Sequence, residues 1–260
     1  DKPMIYYPLS VLMMAGIREV LIISTNNDLP MFKKLLGDGL EIGMKFEFKV
    51  QPSPDGIAQA ISLGKGFIHD EDVCLILGDN IFYGHQFSEI LSKQVQGLQG
   101  ATIFTTIVDS PNNFGVVEMD ENGAVLSLEE KPVIAKSKNI ATGLYFYQNS
   151  VVDIAKGIRP SARGELEITD INIEYLKQKK LVAQQLGRGF AWLDTGTQES
   201  LLQASNFIET IQHRQGLMVA CLEEIAFTNK WINENKLVEI SQKYKNSPYG
   251  SYLINLLQSP

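Results

Sequence analysis

One stretch limits what this chain can become more than any other. Val73-Cys74-Leu75-Ile76-Leu77 contains no polar residue and is stopped by Gly78-Asp79-Asn80. A run that short, rich in branched residues and without alternation, predicts a strand buried on both faces of a parallel sheet. In open α/β sheets ligands sit just beyond the carboxyl ends of such strands, which puts Asp79 where a metal or phosphate is handled. A turn with a capping carboxylate explains Gly-Asp-Asn as well, and these residues alone leave both readings open.

The remainder alternates in the same manner. Residues 4–17 are apolar on nearly all sides, which predicts a helix enclosed by other elements, with Pro3 at its start and Gly16 at its end. A second buried strand is expected over 19–25, then a helix from the Asn26-Asn27-Asp28 cap to Leu36. Over 45–50, Phe46, Phe48 and Val50 alternate with Lys45, Glu47 and Lys49, the mark of a half-covered strand. The loop 51–56 is stiffened by Pro52 and Pro54 before a helix over 57–67, and a helix over 85–96 and a strand over 101–108 follow the run at 73–77.

From Gly115 the texture changes. Asp120-Glu121-Asn122-Gly123 divides two apolar runs and predicts an antiparallel hairpin. A strand is expected over 139–147, helices over 151–156 and 168–179, strands over 181–186 and 190–193, and a long helix over 197–214. Two short helices, 233–244 and 249–257, complete the chain. The expected class is α/β: a mixed, mostly parallel central sheet with helices on both faces, an antiparallel hairpin insertion and a small C-terminal helical part. The main domain is expected over 1–216 and a helical, subunit-contacting region over 217–260.

Composition narrows the function. A net charge of -7 disfavours nucleic acid as the main partner, although local basic residues can still hold a small phosphate ligand. No apolar run is long enough to span a bilayer, so no membrane is expected. Cys74 and Cys221 are far apart and sit in apolar surroundings, which fits reduced thiols and a cytoplasmic location. His69, His85 and His213 lack zinc-site spacing, and no nucleophile elbow, Walker loop or dinucleotide fingerprint is present.

Asp194, in Phe190-Ala-Trp-Leu-Asp194-Thr-Gly-Thr197, is a second carboxylate at a strand end. Two such carboxylates suit Mg²⁺, a hard ion that keeps several waters and shares substrate phosphates, yet Asp194 can equally cap the helix that follows. Glu129-Glu130-Lys131-Pro132 reads as a solvated charged face or as part of a site. Around Arg163 the sequence fits a glycine-containing loop with a capping box. Lys131 and Arg163 on either side of a cleft would suit a phosphate monoester, a point charge and a fork acting together. Gln51 offers donor and acceptor side by side, as a pyrimidine edge requires, and Gly56 lets backbone approach a flat base closely.

Taken together, Gln51-Pro-Ser-Pro-Asp-Gly-Ile-Ala-Gln59, Leu77-Gly-Asp-Asn80, Phe114-Gly-Val-Val-Glu118, Glu129-Glu-Lys-Pro132, Thr142-Gly-Leu-Tyr-Phe-Tyr147, Ser161-Ala-Arg-Gly-Glu-Leu-Glu-Ile-Thr-Asp170 and Trp192-Leu-Asp-Thr-Gly-Thr197 closely resemble bacterial glucose-1-phosphate thymidylyltransferases. The resemblance runs along the whole chain with its motifs in order. It implies a Rossmann-like nucleotidyltransferase fold and an enzyme that joins dTTP and α-D-glucose 1-phosphate, with Mg²⁺, into dTDP-glucose and pyrophosphate, the first step towards dTDP-L-rhamnose. It further implies a homotetramer with dTDP-L-rhamnose as feedback inhibitor. By the same resemblance Gln51 and Gly56 lie near the thymine, Asp79 and Asp194 on the metal, and Gly115, Glu130, Gly143 and Tyr145 around the sugar. Lys131 and Arg163 fall on the sugar phosphate.

Two departures from the family pattern are small: Phe114, where tyrosine is common, and Ile42, where tryptophan is common. A larger one precedes Asp1. Family members carry a glycine-rich phosphate-binding segment of the type GGxGTRLxPxT just upstream of Asp-Lys-Pro-Met. The expectation is that the protein extends upstream of Asp1, and that the chain as it stands catalyses poorly for want of that triphosphate cradle and of a first strand. The competing readings are a non-catalytic nucleotide-sugar binding module and a uridylyltransferase using UTP.

Overall fold

The apolar segment 4–17 forms a helix, α1 (Tyr6–Met14), whose residues 7–13 are all buried. Gly16, at φ +81°, closes it, with its N–H donating to Met13 O and that of Ile17 to Leu12 O, the paired bonds of a left-handed C-terminal turn. This computed structural model describes residues 1–258; Ser259 and Pro260, the end of the expected region 217–260, lie outside the described residues. No helix among the described residues is long and apolar enough to cross a membrane. Cys74 and Cys221 are free thiols.

After α1 the chain enters a parallel pair. β1 (Glu19–Ser24) and β2 (Lys45–Val50) run in register from Glu19↔Lys45 to Ser24↔Val50, joined through α2 (Leu29–Leu36). Next come α3 (Gln59–Ile68), β3 (Val73–Ile76), β4 (Asn80–Tyr83), α4 (Phe87–Gly97) and β5 (Ala101–Ile107). The turn at 120–123 makes the expected hairpin of β6 (Gly115–Met119) and β7 (Val125–Glu130), and β8 (Asn139–Tyr147) follows. α5 (Val151–Gly157), α6 (Ile168–Lys177), β9 (Leu181–Gln185) and β10 (Ala191–Asp194) lead to α7 (Gln198–Gln215). The chain ends in α8 (Leu222–Thr228), α9 (Glu234–Lys243) and α10 (Pro248–Asn255).

The α/β class and the mixed sheet stand as expected, but the parallel share is smaller. β8 runs antiparallel to β3, β5 and β6, β6 and β7 pair antiparallel, as do β4 and β10, while β1 with β2 and β5 with β9 are parallel. The cause is β8, which re-enters from the hairpin end of the sheet and sets its own direction against three neighbours. β3 also differs from the buried, two-sided parallel strand expected: its four residues are half-buried and its partner is antiparallel. Among the described residues β1 pairs with β2 alone and β3 with β8 alone. A cavity of about 380 Å³, lined in part by Leu21, Ile23, Val73 and Leu75, lies between them.

β8 is also where the sheet divides. Its later residues pair with β3 from Leu144↔Ile76 to Tyr147↔Val73, whereas its earlier part meets β6 at Ile140↔Val116. Against β5 the register shifts between Ile103↔Tyr145 and Thr105↔Ala141, a bulge in which β8 carries the extra residues. Thr142 Oγ1 fills the break by donating to Phe104 O at 3.0 Å. Gly143 thus stands at the fork between two strand neighbours, the place where open α/β sheets bind ligands.

Buried side chains from α1, β1 and β2 form one cluster with Cys221, Leu222, Leu237, Ile240 and Leu253 of the last helices. The unforeseen α8 belongs here. With seven residues it is too short to show a period, and its Leu222, Glu223 and Ala226 are buried together.

Candidate active site

The two strand-end carboxylates meet because β4, a four-residue strand hidden in the sequence behind Asp79-Asn80, pairs antiparallel with β10 in the register Asn80↔Asp194. Thr195 fastens the join, its N–H and its Oγ1 both donating to Asp79 O, at 3.0 and 2.8 Å. A Cβ on Gly196 would lie 3.0 Å from Asp194 Oδ1 and 3.8 Å from Asp79 Oδ2, so both carboxylates border the same small space. Asp194 does not cap α7. Its Oδ1 accepts from Gly196 N at 2.8 Å, and the helix is capped instead by Thr197 and Ser200 in a reciprocal box.

Asn80, 3% exposed, organises this corner. Its Oδ1 accepts from Gly143 N at 3.1 Å and from Trp192 Nε1 at 2.6 Å, while its Nδ2 donates to Asp79 Oδ1 at 2.8 Å. Gly143 has to be glycine at the fork: a Cβ there would sit 2.7 Å from Leu77 Cγ and 2.8 Å from Asn80 Oδ1. Each aspartate therefore has one oxygen held by a donor and Oδ2 without one among the described residues. The donor set is hard oxygen throughout. No group of three His, Cys, Asp or Glu side chains that could hold a metal forms among the described residues, so a divalent ion here would take its other ligands from water and phosphate.

The hairpin end brings the sugar-side candidates against α6. Glu130 Oε2 accepts from Thr169 Oγ1 at 2.5 Å, and a Cβ on Gly115 would meet both, at 3.3 and 3.1 Å. Tyr145 is buried beside this pair. Burial, and then the charge of Glu130, pushes its phenol well above the ordinary range. Lys131 adopts φ +42°, a left-handed conformation that costs a side-chain-bearing residue about 1–2 kcal/mol. Its N–H donates to Phe114 O at 3.0 Å, and its ammonium makes no hydrogen bond or ion pair with a described residue.

Arg163 is differently placed from a free phosphate fork. Its guanidinium lies 2.8 Å from Glu165, 3.5 Å from Glu167 and 3.6 Å from Glu130, so a phosphate there would share it with carboxylates. Glu167, buried, also accepts from Ser161 Oγ at 2.8 Å. The base-side loop joins the same segment. Leu166 N donates to Asp55 O at 2.6 Å and Ala58 N to Leu166 O at 3.0 Å. Gly56, at φ +107°, packs so closely on this backbone that a Cβ on it would lie 2.4 Å from Leu166 O. Gln51 Nε2 lies 3.4 Å from Gly56 O.

The expected residues are linked by a chain of contacts. Asp79 and Asp194 connect through Trp192 to Phe114, whose rings meet edge to face at 5.4 Å, and Phe114 connects to Gly115, Lys131 and Glu130. Glu130 leads to Arg163 and Thr169, and Leu166 leads to Gly56 and Gln51. Sequence reasoning singled out neither Asn80 nor Thr169. Asn80 was visible as the residue between a carboxylate and an apolar run, but that spacing is also that of a turn. For Thr169 no local signal existed.

Comparison with known proteins shows the family and the fold. Residues 1–211 match the family model for nucleotidyl transferases. The chain is 54% identical over 258 residues, 99% of its length and 90% of the relative's, to glucose-1-phosphate thymidylyltransferase of Neisseria meningitidis. It is 49% identical over 258 residues to that of Mycobacterium tuberculosis, covering 99% of this chain and 89% of the relative. A Bacillus anthracis structure assigned as a glucose-1-phosphate thymidylyltransferase, solved with sucrose, superposes with a TM-score of 0.72 at 36% identity over 79% of this chain and 82% of that one. A UDP-glucose pyrophosphorylase complexed with UDP-glucose shares the fold, with a TM-score of 0.67 at 24% identity over 81% of this chain and 88% of that one.

Proposed function

Since the chain belongs to the nucleotidyl transferase family, and to its glucose-1-phosphate thymidylyltransferases, we propose that it joins dTTP and α-D-glucose 1-phosphate into dTDP-glucose and pyrophosphate. An oxygen of the sugar phosphate attacks the α-phosphorus of dTTP. The new P–O bond forms as the bond from that phosphorus to the bridging oxygen breaks, and pyrophosphate leaves. A phosphate monoester is already nucleophilic, so the protein's task is to align two anions and neutralise their charge.

The observation that carries this reading is the paired placement of Asp79 and Asp194 around Gly196, one ring contact away from the Glu130–Lys131 corner. Asp79 and Asp194 would hold Mg²⁺, which when bound offsets phosphate charge. Lys131 and Arg163 hold the sugar phosphate, and Glu130 accepts from sugar hydroxyls in the space left by Gly115, with Gly143 and Tyr145 behind it. Gln51 reads the base and Gly56 lets it lie close to backbone. A homotetramer in the cytoplasm, inhibited by dTDP-L-rhamnose, belongs to the same reading, and sedimentation velocity tests the assembly.

The central test is pyrophosphate release by the full-length protein with dTTP, glucose 1-phosphate and Mg²⁺. Asp79→Asn and Asp194→Asn are each expected to lower kcat/KM by at least about 100-fold. Wild-type rates in both variants would rule out their role at the metal.

A further inference from the structure

The loop before α3 contains a hydrogen-bonded relay. The Asp55 carboxylate accepts from Ser53 Oγ at 2.5 Å and from Gln59 Nε2 at 2.7 Å. Gln59, on the first turn of α3, in turn accepts on Oε1 from Gln51 Nε2 at 2.7 Å. All three bonds are partly buried. A carboxylate has no proton to give and can only accept, whereas an amide can present either end. Asp55 therefore sets the polarity of the series. Gln59 must turn its NH₂ to Asp55 and its carbonyl to Gln51, and Gln51 must answer with its NH₂. Gln51 Oε1 is left as an acceptor without a donor among the described residues, beside an amide nitrogen whose second proton reaches only a weak partner, Gly56 O at 3.4 Å.

We propose that Asp55 and Gln59 are positioning residues that decide which pyrimidine Gln51 accepts. An acceptor flanked by a donor matches an imide edge, a ring N–H next to a carbonyl, as in thymine or uracil. Cytosine shows the opposite pattern, a bare ring nitrogen next to an amine. To fit it Gln51 would have to flip and set its carbonyl against Gln59 Oε1, two acceptors at hydrogen-bond distance, and a half-buried polar group left unpaired is what makes such sites selective. The discrimination is thus made two side chains away from the base, by a charge that never touches it. Because the loop is also clamped to Leu166 through Asp55 O, the same residue ties the base reader to the segment bearing Arg163.

This inference rests on the reading of Gln51 as the base contact, and the test separates the two. Pyrophosphate release by the full-length protein is measured with dTTP and with dCTP at fixed glucose 1-phosphate and Mg²⁺, and the ratio of the two kcat/KM values is compared across variants. The ratio is taken within each variant, so a partial loss of folded protein cancels from it. Asp55→Asn, which can donate as well as accept, and Gln59→Leu are each expected to lower the dTTP preference at least about tenfold while leaving KM for glucose 1-phosphate unchanged. Asp55→Glu, still acceptor-only, is expected to keep the wild-type ratio. If Gln51→Leu lowers the ratio but Asp55→Asn and Gln59→Leu keep it, or lose both rates equally, the relay is only a brace and the proposal falls. If Gln51→Leu keeps the wild-type ratio, the base-contact reading itself falls.

Discussion

At Asn80 one buried carboxamide serves three strands. It gives Gly143 and Trp192 the acceptor that the fork in the sheet denies them, and it steadies one oxygen of Asp79. Truncation would leave the buried Gly143 N–H and the part-buried Trp192 N–H without their acceptor, at a cost of about 1–3 kcal/mol for the first and less for the second. We predict that Asn80→Ala lowers unfolding free energy by about 2–4 kcal/mol in urea melts. It should also lower kcat more than it raises KM for glucose 1-phosphate, because Asp79 loses a donor bonded directly to it, whereas the Glu130–Lys131 corner is reached only through Trp192 and Phe114. An equal loss through KM would place Asn80 at the sugar instead. Arg163 teaches a complementary lesson at the same scale. Its guanidinium bonds Glu165 and lies near Glu167 and Glu130, so an anion bound there would share it with three carboxylates.

Among the elements, those with a strong local signal formed where expected. The strand over 139–147, the hairpin around 120–123 and the helix starting at Thr197 all stand within a residue or two. β4 and α8 were missed because four and seven residues carry too little periodicity to separate from their surroundings. The start of α7 matters for the site because it directly follows Asp194-Thr195-Gly196. Thr197 Oγ1 accepts from Ser200 N at 3.1 Å and Thr197 N donates to Ser200 Oγ at 3.1 Å. Thr197→Ala is predicted to cost about 1 kcal/mol in stability, seen as a lower thermal midpoint. A midpoint equal to wild type would mean that the box adds nothing beyond what water supplies.

Across the whole molecule the two ends of the chain are bound into one body. Lys2 Nζ donates to Gln212 Oε1 at 3.2 Å, 210 residues away, and Asn229 Nδ2 donates to Met13 O at 3.0 Å. Tyr249 bonds to Glu223 and to Cys221, drawing α10 onto α8. Burial brings the Lys2 ammonium down from 10.5 to about 8, partly opposed by the negative charge of Glu223. Between those two values the unfolded chain binds the proton that the folded one releases, so Lys2 makes stability rise with pH from about 8 to 10.5. Lys2→Met is predicted to remove that rise, read as the difference between wild-type and variant thermal midpoints across the window. A difference that stays flat would show that the amine keeps its proton when folded.

The sequence by itself determined the order of the helices and strands apart from β4 and α8, the hairpin, and which short motifs hold carboxylates, glycines and basic residues. Period-two and period-3.6 apolar patterns and glycine or proline turns are written within a few neighbouring positions, so they can be read without the fold. Only the tertiary structure decided the direction of β8 against its neighbours, the fork at Gly143, and the bonds that Asn80 makes across 63 and 112 residues. It alone showed that Thr169 meets Glu130, that Arg163 bonds Glu165, and that Gln51 bonds Gln59, which in turn bonds Asp55. Those depend on which side chains arrive together, and hydrogen bonding between groups distant along the chain leaves no period in the sequence.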